Sequence, residues 1–135
     1  MNITNTLLFT PDHIWIKPIN ENNYEIGITD YAQNLLGDIV FVELPLLQSK
    51  ISRNIAFGTV ESVKTASDLM GPLNGVIVEI NPNIQKSPEL INDKPYENWI
   101  CRISSQDDIN NKELFLDASR YNESFHNQSS QQVHH

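Results

Sequence analysis

The chain has 135 residues, 39% of them hydrophobic, a formal net charge of −8 and a single cysteine. That length suits one domain that buries most of its apolar surface without disulfides or metals. The acidic balance makes phosphate backbones and anionic lipid poor partners and favours proteins with basic docking patches.

"MNITNTLLF" has neither the basic and apolar regions of a secretory signal nor the arginines of a mitochondrial presequence. No apolar run approaches the roughly 20 residues a bilayer span requires. A soluble, cytoplasmic protein is expected, with no nucleic acid or membrane partner.

Strand signals dominate as far as Ile103. "IWIKPI", weakened by Pro18, and "YEIGI", with Tyr24, Ile26 and Ile28 on one face, predict a hairpin across the turn residues "NENN". "TDYAQNLLG" predicts a short connecting helix, capped by Thr29 or Asp30 and ended by Gly37 in a left-handed conformation. "DIVFVELP" is apolar almost throughout, which predicts a central strand covered on both faces and stopped by Pro45. "IAFGTVESV" and "GVIVEI" predict two more strands, the second alternating through Val76, Val78 and Ile80.

"NPNIQKSPELINDKPYEN" predicts a long ordered loop pinned by Leu90, Ile91 and Tyr96. "WICRI" predicts a strand with Trp99, Cys101 and Ile103 on one face. Beyond Ser105 the period changes: Ile109, Glu113 and Leu116 begin a helical pattern, and Asp117 is placed to cap a second short helix carrying Ala118, Tyr121 and Phe125. The polar residues after Phe125 predict a frayed tail, so the domain is expected to span residues 1–125 with residues 126–135 outside it. Short strands closed by small terminal helices favour a compact β barrel or sandwich.

Chemistry concentrates around Lys64. The plainest reading of a lysine near a turn is a solvated side chain. Here, however, Glu61 stands three residues before it and Asp68 four after it, with Gly75 opening the next strand. A Schiff-base or general-base lysine needs an apolar pocket or neighbouring cations, and the neighbours here are carboxylates. An attachment site needs exposure and a rigid turn, which a hairpin supplies.

His13 reads as a packed or turn-bonded histidine and Cys101 as an inert buried thiol. No CxxC or His/Cys/Asp/Glu cluster suggests a metal. Neither a phosphate loop, a nucleophile elbow nor a Ser/His/Asp arrangement is present, so no catalytic residue is assigned and a free-standing enzyme is not expected.

In order, "FTPDHIWI", "IGITDYAQNLLGDIVFVELP", "FGTVESVKTASDLMGPLNGVIVEIN", "SPELINDKPYENW" and "LFLDASRY" resemble successive blocks of the glycine cleavage system H-protein family, from Phe9 to Phe125. "GITDYAQ", "GDIVFVELP" and "VESVKxASD" together are highly specific to it. The resemblance implies a mainly β fold: a lipoyl-type barrel-sandwich hybrid, core about residues 23–104, with a short connecting helix and small C-terminal helices. It implies (R)-lipoate joined by an amide to Lys64. Glu61 and Gly75 would match residues that help lipoyl-attaching enzymes select the site, and Asp68 an acidic residue beside the arm.

The implied role is a non-catalytic carrier. It would take an aminomethyl group from glycine decarboxylase to aminomethyltransferase and be reoxidised by dihydrolipoamide dehydrogenase. An alternative is a lipoyl relay, or H-like protein, that donates lipoate to other complexes. A third reading is an unmodified β-barrel interaction protein.

Three places depart from the family pattern. Ile14 stands where an acidic residue usually helps form the cleft for the loaded arm, which predicts weaker protection of that arm. Asp12 stands nearby, but it is expected to turn elsewhere and not to substitute. "PYENW" lacks the usual glycine, and Gly71 and Asn74 replace more common small residues.

Overall fold

Apolar alternation in β2 (Ile14–Asn20) and β3 (Asn23–Ile28) builds the predicted first hairpin, with Tyr24, Ile26 and Ile28 all buried. The computed structural model describes residues 7–133, with side chains through residue 125. Pro18 stays within β2 because the ladder bulges between Pro18 and Asn20, where its missing amide is least needed.

Two antiparallel sheets share one apolar core. The first runs β1 (Leu8–Phe9), β2, β3, β9 (Cys101–Ser105), β8 (Gly75–Ile80) and β5 (Lys50–Ile51). The second runs β4 (Ile39–Glu43), β6 (Ala56–Ser62) and β7 (Ala66–Met70). Ile16, Ile26, Ile77 and Ile103 meet Ile39, Val42, Val60 and Leu69 between them. A smaller cluster of Phe9, Trp15, Leu116 and Tyr121 seals one end. There Phe9 and Leu116 exchange two backbone hydrogen bonds of 2.8 Å, tying the two ends of the fold together.

Helix α1 (Asp30–Leu36) forms as predicted: the Thr29 hydroxyl accepts from the Ala32 amide at 3.2 Å, and Gly37 ends the helix at φ 81°. Such a cap is worth about 1 kcal/mol.

Several expectations give way to tertiary packing. β4 is an edge strand, not a central one: Val40 and Phe41 are exposed because the β4–β6 ladder bulges between Ile39 and Phe41. The bulge turns two consecutive side chains outward, which a run of apolar letters does not disclose. β6 pairs with β7, a strand absent from the sequence reading, and "GVIVEI" joins the other sheet between β5 and β9. In β8 a bulge between Ile77 and Glu79 buries Ile77 and leaves Val78 outside the core.

The expected long loop holds α2 (Pro82–Lys86) and α3 (Leu90–Asp93). Asn81 caps α2 and Pro82 enters it at the position where a missing amide costs nothing. Trp99 precedes β9 and stacks under the Arg102 guanidinium, 4.1 Å away, instead of sharing the inner face of Cys101. The stretch from Asp108 to Leu116 contains turns and no helix. Asp108 and Asn111 side chains accept from the amides of Asn110 and Glu113, so local bonds outcompete the helical ladder.

Asp117 does cap the next helix, accepting from the Arg120 amide at 2.8 Å. That helix, α4, runs Ala118–Val133, carrying helical backbone through much of the segment expected to fray. Residues 134 and 135 lie outside the described residues, as do residues 1–6 of the opening segment "MNITNTLLF".

Candidate functional site

Lys64 sits at the tip of the β6–β7 hairpin, which closes over Ser62, Val63, Lys64 and Thr65. The turn is set by one serine. Its amide donates to the Thr65 carbonyl at 2.7 Å, and its hydroxyl accepts from the amides of Lys64 and Thr65 at 3.3 and 3.1 Å. Such a serine turn fixes the backbone without a glycine. The Val63 amide donates to the Asp38 carbonyl at 3.0 Å, anchoring the tip to the segment after α1.

The Lys64 side chain is exposed, and its methylenes lie against Gly37 at the end of α1. Among the described residues, the salt bridges are those of Arg102 with Glu25 and Glu79, so Lys64 is not tied to a carboxylate. Exposed Leu35, Val40, Phe41 and Val63 lie on α1, on the β4 edge strand paired with β6, and in the turn itself, Val63 being 71% accessible. Glu61 and Asp68 are exposed on the same hairpin, in cross-strand register with Ala66 and Thr59.

Gly75 is elsewhere. It opens β8 in the other sheet, and a β-carbon there would stand 2.1 Å from the Ser104 carbonyl oxygen, so close strand packing alone demands glycine. The chain therefore brings Lys64, Glu61 and Asp68 together and separates Gly75 from them.

A cleft of about 130 Å³ opens beside the hairpin, lined by Asp12, Ile14, Ile28, Ala32, Leu36, Val60 and Asp68 among others. Asp12 was expected to turn away from it. In the structure Asp12 and Ile14 line the same cleft, on either side of His13, which adopts φ 67°. Ile14 is 1% exposed, so it forms floor instead of rim.

His13 itself is the packed histidine its setting suggested. Its Nδ1 lies 2.7 Å from the Tyr121 hydroxyl, which is 2.8 Å from the Thr29 hydroxyl, and its ring packs on Tyr31. Burial lowers its pKa, opposed by Asp12. Burial also pushes the Cys101 thiol up to about 12, which leaves it inert at neutral pH. Among the described residues, no group of His, Cys, Asp and Glu is gathered for a metal ion.

The family model for the glycine cleavage H-protein matches residues 7–128. The chain belongs to the glycine cleavage H-protein family. A glycine cleavage system H protein of Staphylococcus epidermidis is 46% identical over 124 residues, covering 91% of this chain and 97% of the relative. Its counterpart in Clostridioides difficile is 45% identical over 107 residues, covering 79% and 86%. The crystal structure of a glycine cleavage system H protein from Mycobacterium marinum superposes with a TM-score of 0.78 at 34% identity, covering 89% of this chain and 96% of that one.

The mainly β, lipoyl-type barrel-sandwich architecture of the H-protein family is thus the fold of this chain. Of its departures from the family pattern, Ile14 lies in the cleft beside the hairpin, and the loop and Asn74 make contacts elsewhere. Tyr96 and Pro95 of the shortened "PYENW" loop hold the ends of two elements: the Tyr96 hydroxyl accepts from the Asp30 amide, and the Pro95 carbonyl from the Trp15 indole at 3.0 Å. Asn74 bridges segments, accepting from the Arg53 amide and donating its own amide to Asp107. No helix among the described residues is long and apolar enough to cross a membrane.

Proposed function

We propose that this H-protein family member carries lipoate on Lys64 and works as the aminomethyl carrier of glycine cleavage. The observation that carries the reading is the position of Lys64: exposed at a serine-fixed hairpin tip, free of ion pairs among the described residues, and beside a largely apolar cleft. Amide formation there replaces an ammonium with a neutral linkage and adds an apolar tether ending in two sulfurs, which supplies the redox and carrier chemistry.

The chain's own residues supply presentation. Ser62 holds the turn, Asp38 anchors it, and the apolar collar of Leu35, Val40, Phe41 and Val63 gives docking enzymes a surface around the attachment point. Glu61 flanks the lysine as a recognition group for lipoyl-attaching enzymes, and Asp68 as an acidic residue beside the arm. Gly75 contributes through strand packing. No side chain here is assigned a catalytic role. Glycine decarboxylase, aminomethyltransferase and dihydrolipoamide dehydrogenase act in turn on the tethered group, which docking holds at high effective concentration. Residues 1–125 form the working domain, in the cytoplasm.

Intact mass after expression with lipoate tests the reading: a lipoyl increment is expected in the parent chain and absent in Lys64→Ala. An unmodified chain, under conditions that lipoylate a control domain, would overturn it. Glycine-dependent exchange of carbon dioxide with purified decarboxylase then separates an aminomethyl carrier from a lipoyl relay, which would not support that exchange.

A further inference from the structure

We infer that the cavity between the β5–β6 loop, residues 52–55, and the turn before α4 is a binding site for a small α-amino acid zwitterion. Arg53 takes the carboxylate, and Asp12 and Glu113 take the ammonium. The site is independent of the lipoyl reading of Lys64, since it uses neither the arm nor the cleft beside the hairpin.

Among the described residues, Arg53 Nε is the buried side-chain nitrogen or oxygen without a hydrogen-bond partner. Burying a charged donor without an acceptor is costly, so this nitrogen calls for a partner that the chain does not supply. Arg53 lines a cavity of about 250 Å³ together with Thr10, Asp12, Pro72, Glu113 and Leu114. Asp12 and Glu113 share that cavity, yet among the described residues no ion pair joins either carboxylate to the guanidinium.

Two departures from the family pattern hold Arg53 where it is. The Asn74 side chain accepts from the Arg53 amide at 3.0 Å. Gly71 passes so close to the loop that a β-carbon there would collide with the Ser52 carbonyl oxygen. The Asn54 amide donates to the Gly71 carbonyl and the Gly71 amide to the Ile55 carbonyl, each at 2.9 Å. Asn54 takes a φ of 66°, which asparagine tolerates better than most residues. On the other segment, the Asn111 side chain fixes Glu113 by accepting from its amide at 3.0 Å. Opposite charges are thus set on separately held backbone, and neither neutralises the other.

That charge arrangement selects the ligand. A simple anion would meet Asp12 and Glu113, a simple cation would meet Arg53, and a zwitterion suits both ends. The arginine fork matches a carboxylate, to which it can donate two parallel hydrogen bonds. Pro11, Pro72 and Leu114 offer apolar wall to a short side chain. The cavity has the volume of about eight waters at roughly 30 Å³ each, enough for a small amino acid with some water retained.

The test titrates the isotope-labelled full chain with glycine, with acetate and methylammonium as single-ended controls. The signals followed are the Arg53 Nε–H and the amides of Asn54, Gly71 and Glu113. Glycine should shift them saturably, with a dissociation constant of about 1 mM. Acetate and methylammonium should each bind about tenfold more weakly, because each lacks one charged contact. Arg53→Gln should weaken glycine binding about tenfold, and Glu113→Gln about threefold. Arg53→Lys, which keeps the charge and loses the fork, should fall between the parent and Arg53→Gln. Amide signals remote from the cavity should stay at their parental positions in all three variants, which shows that each is folded.

No saturable shift up to about 100 mM glycine would overturn the site. Acetate binding as tightly as glycine would overturn the zwitterion, and parental affinity in a folded Arg53→Gln would overturn the role of Arg53.

Discussion

Lys64 lays its methylene stem over Gly37, with Cε 3.3 Å from the point where a β-carbon of residue 37 would stand. One glycine therefore ends the helix that walls the cleft and leaves room for the stem of the presented lysine. Its φ of 81° and ψ of −154° lie in a region that side chains other than glycine scarcely enter. Gly37→Ala should cost about 1–3 kcal/mol of stability. It should also slow lipoylation beyond what unfolding explains, read as the initial rate of mass increment below the melting temperature. A destabilised variant lipoylated at the parental rate would argue that the contact is incidental.

Gly75 offers a contrast. A β-carbon there would meet the Ser104 carbonyl at 2.1 Å, in a strand pairing remote from the hairpin tip. Gly75→Ala should destabilise by about 1–3 kcal/mol through overpacking. Lipoylation of the fraction that remains folded should proceed at the parental rate. Denaturant midpoints and mass kinetics on one sample separate the two effects, and a rate defect in the folded fraction would give Gly75 a direct recognition role.

The exposed collar is cheap to alter without harming the fold. Phe41, 49% accessible on an edge strand, can become serine with a stability change within about 0.5 kcal/mol. If partner enzymes dock around Lys64, Phe41→Ser should raise the apparent KM of the decarboxylase for the lipoylated chain and leave its kcat close to the parental value. An unchanged KM would place docking elsewhere.

Acidification should loosen the end sealed by α4. The folded pKa of His13 lies below the unfolded value of 6.5 because burial disfavours its charged form. Above 6.5 both states hold a neutral ring and the stabilisation is complete; as pH falls through 6.5 to the folded value, the unfolded chain takes the proton first and stability drops. Between about pH 7.5 and about pH 5.5 the parent should lose more melting temperature than His13→Asn, whose side chain does not titrate and tolerates positive φ. Parallel pH profiles would remove His13 from the account.

The sequence by itself determined the lysine and its flanking carboxylates, the first hairpin, the helix between Thr29 and Gly37, and the family. These depend on neighbours in the chain: capping residues, alternation over a few positions and the spacing of short motifs. Tertiary structure decided which strands meet. β7 has little apolar signal because only Leu69 of its five residues is buried, and β4 looks central although it is an edge. It also decided that Asp12 and Ile14 line one cleft, and it set the left-handed turn at His13 between them, held by Thr10, Thr29 and Tyr121, residues as far as 108 positions away. Side-chain periodicity reports the direction of a regular backbone; where a bulge or a single positive φ redirects that backbone, only the packed fold says which way a side chain faces.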